Sequence, residues 1–91
     1  MQLKILDVIK QSGYFEVNYE MTLDVPLAQQ TALGGATIIR SGVASYANGT
    51  GITAIKTDLV NKLNSAQTAL NDDTKHQYYG IIYNGTSWVT P

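Results

Sequence analysis

Residues 49–54 read Gly-Thr-Gly-Ile-Thr-Ala. They match a G-x-G-x-x-A pattern, follow a β-prone run and open a helix, the local setting in which backbone N–H groups hold a pyrophosphate. The motif works only inside a parallel βαβ unit with an acidic residue at the end of the next strand. Here Asp72 and Asp73 come before that strand, at the end of the helix. The glycines are therefore read as turn formers that free a helix N-terminus, and no cofactor is expected. The stretch LGGATIIR lacks the Gly-Lys-Ser/Thr of a phosphate loop, so Gly34 and Gly35 read as a helix stop.

His76 is the only histidine and the chain has no cysteine. A zinc site would have to be built from carboxylates and His76, and the Asp72, Asp73, His76 group reads instead as a solvated turn after a helix. No metal is expected there. His76 is also the one candidate base of its kind for a serine or threonine nucleophile, and no spacing ties a hydroxyl to it. Glu16, Glu20 and Asp24 supply paired carboxylates, but they alternate along the wet face of one strand. That is the pattern of a solubilising face, and no catalytic residue is assigned. The Asn-Gly-Thr triplets at Asn48 and Asn84 fit the glycosylation pattern and read as turns.

Charge narrows the partners. Of 91 residues, 44% are hydrophobic and only 14% charged, and the formal net charge is −1. Soluble domains usually carry about a quarter charged residues. The six basic residues are scattered at Lys4, Lys10, Arg40, Lys56, Lys62 and Lys75, so neither a nucleic-acid footprint nor a polybasic membrane anchor is expected. The opening MQLKILDVIK has neither a positive flank nor a long apolar run, which reads as a protein made and folded in the cytoplasm. A surface of Thr, Ser, Asn, Gln and Gly repels its own copies weakly and tolerates close packing against other protein.

The elements that must position these residues are legible from periodicity. In YFEVNYEMTLDV, Phe15, Val17, Tyr19, Met21, Leu23 and Val25 alternate with polar residues, which is a long strand with one buried face. LKILDVIK reads as its hairpin partner. A three-residue loop over 11–13 with a left-handed Gly13 sets Ile9 against Phe15 and Ile5 against Tyr19; a two-residue loop at Ser12 and Gly13 turns Val8 and Leu6 inward instead. PLAQQTALGG, with Pro26 at its start and Gly34 past its end, reads as a short helix. Residues 37–40 and 43–46 are β-prone around Gly42, as one bent strand or two short ones. Ile52, Ile55, Leu59, Leu63, Ala66 and Leu70 then form one apolar stripe, widened by Val60, on a helix over about 53–71. Asn71, Asp72 and Asp73 end it, and Lys56, Asn64, Gln67 and Thr68 lie away from the stripe. The architecture expected is a single α+β domain: a small antiparallel sheet of the N-terminal hairpin, a middle strand and a C-terminal hairpin, packed on one long helix.

The closing YYGIIYNGTSWVTP folds about Asn84 and Gly85. A two-residue loop pairs Tyr83 with Thr86, Ile81 with Trp88 and Tyr79 with Thr90, and this face is expected to close the core over the helix stripe. The opposite face, with Tyr78 and Ile82, and the turn-flanking Tyr14 and Tyr46 are the expected interaction surface.

YNGTSWV, with the Gly/Ala/Thr-rich LGGATIIRSGVASYANGTG, resembles segments of small virion structural proteins of tailed bacteriophages and prophages: tail, neck and capsid-associated proteins. The resemblance covers the last third of the chain and a compositional flavour, and it carries no residue-level roles. It implies a non-enzymatic part of an assembly, hence localisation in a virion. The function expected is a structural or assembly protein whose partners are other protein subunits or copies of itself, met through packing and strand edges. The alternative is a small carbohydrate- or peptide-binding module using exposed Tyr and Trp.

Overall fold

The computed structural model describes residues 1–72 and 81–89. Strand β1 (Gln2–Lys10) and strand β2 (Tyr14–Asp24) form the first hairpin, and β3 (Thr37–Ala47) pairs with the far side of β2. All pairings are antiparallel, in the order β1-β2-β3. Between β2 and β3 the chain makes a 3₁₀ turn (Leu27–Gln29) and a one-turn helix α1 (Gln30–Leu33). The long helix α2 (Ile52–Leu70) lies on one face of the sheet. Two short strands, β4 (Ile82–Tyr83) and β5 (Trp88–Val89), pair as a separate two-stranded sheet. The fold is mixed α+β, with the C-terminal hairpin outside the main sheet rather than part of it.

Alternation decides which face of β2 is covered. Val17, Tyr19, Met21 and Leu23 are buried, and the residues between them are not. Against them α2 buries Ile55, Leu59, Leu63 and Leu70. Each such aliphatic side chain taken fully from water contributes about 1.5–3 kcal/mol. Two members of the expected stripe lie elsewhere: Ile52, in the first turn of α2, and Val60 are exposed. The stripe spans the helix, but the sheet beneath is only three strands wide.

The first hairpin combines both expected registers. The Gln11 N–H donates to the Tyr14 carbonyl at 2.8 Å around Ser12 and Gly13, and Gly13 sits at φ +83°. Close to that turn Val8 faces Val17 and Ile9 faces Glu16, so Ile9 does not meet Phe15. A register shift between Ile5 and Asp7 gives Leu6 an extra place, and beyond it Ile5 faces Tyr19 and Leu3 faces Met21. The bulge lets apolar residues of both parities, Val8 and Ile5, share the helix side.

The third strand is continuous over eleven residues because Gly42 carries no side chain. A Cβ there would stand 2.4 Å from the Tyr19 ring and hydroxyl, so the Tyr19 ring lies across the glycine. The one-turn helix stops as expected at Gly34, φ +83°, whose N–H and that of Gly35 both donate to the Gln30 carbonyl at 2.9 and 3.0 Å.

Candidate functional site

Three side-chain amides tie together α2, the end of β2 and the connection that follows it. Gln67 of α2 accepts from the Asp24 N–H at 2.9 Å and donates to the Asp24 carbonyl at 2.8 Å, pairing with the strand end as another strand would. Gln29 is fully buried and donates to the Leu70 carbonyl at 2.7 Å, satisfying one orphan group at the helix C-terminus. Gln30 donates to the Val25 carbonyl at 3.1 Å. The depression beside them, about 460 Å³ and bordered by Met1, Asp24, Pro26, Gln67 and Asn71, holds one carboxylate, and that is bonded to the Met1 amino group at 3.1 Å.

The expected surface residues do not converge. Tyr14 is exposed opposite Ala47, on the face turned away from α2. Tyr46 lies on the other face and is not free: half-buried, its ring sits 5.9 Å from that of Phe15 and its hydroxyl donates to Asp58 of α2 at 2.6 Å. Burial first, then the Asp58 carboxylate, pushes the Tyr46 hydroxyl up to about 12. Ile82 is exposed on the separate C-terminal hairpin. Tyr78, like Tyr79, His76, Asp73 and Thr90, lies outside the described residues.

In that hairpin the loop is two residues longer than the Asn-Gly signal suggests. Tyr83 pairs with Trp88 and Ile82 with Val89, so neither Thr86 opposite Tyr83 nor Trp88 opposite Ile81 occurs. The reason is the Asn84 side chain, whose Oδ1 accepts from the Thr86 and Ser87 N–H groups at 3.0 and 2.9 Å and builds a wider turn, with Gly85 at φ +92°. Tyr83 and Trp88 do share a face, with ring centroids 5.3 Å apart. That face does not close the core: Tyr83 is 54% and Trp88 70% exposed.

The carboxylates and glycines keep their structural readings. Glu16, Glu20 and Asp24 lie on the face away from α2, spread along the strand. Gly49 and Gly51 lead from an antiparallel strand into α2, and among the described residues every strand pairing is antiparallel. Among the described residues no three His, Asp or Glu side chains gather as metal ligands, and no helix is long and apolar enough to cross a membrane.

What stands out is the outer edge of the sheet. Ile5, Leu6, Val8 and Ile9 of β1 are all exposed. Beside them an open groove of about 430 Å³ runs between β1 and α2, lined by Leu3, Ile5, Leu59, Val60 and Leu63 with Lys56 at its rim. The signal was in LKILDVIK: apolar residues at both parities exceed what one buried face requires.

Fold and site together define a small α+β protein with one covered sheet face, an apolar sheet edge and an exposed aromatic hairpin. Compared with known proteins, the chain matches no family model, no curated relative and no solved structure.

Proposed function

We propose that this chain is a non-enzymatic structural protein that works by packing against other protein subunits. The observation that carries the reading is the outer edge of β1, where four large apolar side chains stand exposed beside an apolar groove. Singly exposed apolar residues are ordinary, but a contiguous group of them on a free strand edge is a surface suited to another chain. The low charge of the sequence and its likeness to small virion structural proteins of tailed phages support the same reading and suggest a virion component. Native mass spectrometry and sedimentation of the full chain over a range of concentrations test it. Self-association, or capture of a defined structural subunit, is the expected result; a chain that stays monomeric at high concentration and binds no subunit of its source assembly defeats it.

The exposed Tyr83 and Trp88, whose rings meet at a tilt of 48°, favour a second reading, a module that binds carbohydrate or peptide on its aromatic hairpin. A glycan array followed by Trp88→Ala tests this one. Binding that survives the substitution removes the aromatic pair as its cause.

A further inference from the structure

Resting on the assembly reading, we propose that the partner on the β1 edge is a second copy of this chain, paired antiparallel, β1 against β1, about a two-fold axis at Ile5. The edge itself is the first observation: among the described residues β1 pairs with β2 alone, and its apolar side chains are exposed on both faces of the sheet. Val8 and Ile5 point to the helix side, opposite Val17 and Tyr19, while Ile9 lies on the other side with Glu16.

The second observation is the order of residues about the bulge. A two-fold axis perpendicular to a sheet keeps each face on its own side and makes the interface self-complementary. Counting Leu6 as the extra residue, an axis at Ile5 sets Lys4 of one copy opposite Asp7 of the other, Leu3 opposite Val8, and Gln2 opposite Ile9. Each of these pairs lies on a single face: Leu3 and Val8 belong to the helix side, through Met21 and Val17, and the other four to the far side, through Glu20, Asn18, Thr22 and Glu16. Opposite charges thus meet twice across the axis, and apolar meets apolar twice on the helix side. Ile5 meets its own copy, which brings the two grooves beside Val60 into one.

Bulges and charged residues on an edge strand ordinarily discourage pairing. On β1 the charges are instead in self-complementary order, and the bulge is what puts the matching residues on matching faces. The other edge lacks this: Arg40 is the only charged residue of β3, so β3 against β3 has no complementary charge.

The test uses charge reversal in the full chain, at exposed residues that carry no core packing. The wild-type chain is expected to sediment as a concentration-dependent dimer. Lys4→Asp and Asp7→Lys each turn two attractive cross-strand pairs into two repulsive ones and weaken the dimer about tenfold or more. An equimolar mixture of the two variants restores dimerisation as a heterodimer, because every Lys then faces an Asp; the double variant Lys4→Asp with Asp7→Lys restores it as a homodimer. A folding defect in either variant would not be repaired by mixing. Association that ignores both reversals leaves the assembly reading standing and overturns this pairing. Single variants that weaken association without recovery in the mixture also overturn it. A chain that is monomeric throughout overturns both.

Discussion

At the scale of single residues, the closest constraint is the Tyr19 ring lying across Gly42. Neither partner is conspicuous alone, since Tyr19 reads as one inward residue among six and Gly42 as a break in a β-prone run. Their meeting is fixed by the β2–β3 register, which aligns them directly. Gly42→Ala must displace the ring of a buried tyrosine, and overpacking of this kind costs about 1–3 kcal/mol. Urea unfolding measures it, and the loss shrinks when Tyr19→Leu is combined with Gly42→Ala, because the two changes share one contact. Tyr46 gives a second residue-scale consequence. Its hydroxyl ionises near 10 in the unfolded chain and near 12 in the folded one, so between these values the folded state holds a proton that the unfolded state has lost. The stability tied to that proton is fully present below pH 10 and is lost as pH rises through 12. Tyr46→Phe should therefore flatten the decline in unfolding free energy between pH 10 and 12 relative to the wild type.

At the scale of elements, periodicity made β2 and α2 legible, and three-dimensional neighbours decided the rest. The eleven-residue alternation of β2 leaves no other reading, and its buried residues are the inward set. The stripe on α2 was legible in period but not in width: Ile52 and Val60 share its spacing and lie beyond what the sheet covers. Helical spacing turns Gln67 away from the stripe; its side chain clamps Asp24, which no local pattern announces because the two are 43 positions apart. Gln67→Leu keeps most of the volume but leaves the N–H and carbonyl of Asp24 to water. It should cost about 1–2 kcal/mol, as two modest hydrogen bonds do at a partly exposed site. Hydrogen exchange should show the Asp24 amide losing protection more than the amides of residues 17–21. The C-terminal hairpin was legible as a hairpin and misread in register, since the Asn84 side chain replaces a backbone pair that the Asn-Gly signal implies.

At the scale of the whole molecule, the core has a clear boundary in sequence. Its buried apolar residues run from Val17 to Leu70, with Leu3 and Phe15 at the margin, and all come from the three-stranded sheet, the connection between β2 and β3, and α2. None comes from the described part of the C-terminal hairpin, whose Ile82, Tyr83, Trp88 and Val89 are exposed. Aromatic content points the wrong way here: Trp and Tyr bury well, so a cluster of them reads as core. The sheet needs no such cover, because one helix and three strands already bury the apolar face of β2. A chain cut after Asp72 should therefore keep its fold. Its far-ultraviolet circular dichroism should melt in one cooperative step, with an unfolding free energy within about 1 kcal/mol of the full chain, a change of the size expected for surface alterations. A loss of several kcal/mol would mean that the segment beyond Asp72 carries core contacts. If the truncated chain folds but self-associates as the full chain does, the assembly surface lies on the β1 edge; if association disappears with the hairpin, Trp88 and its neighbours are the contact.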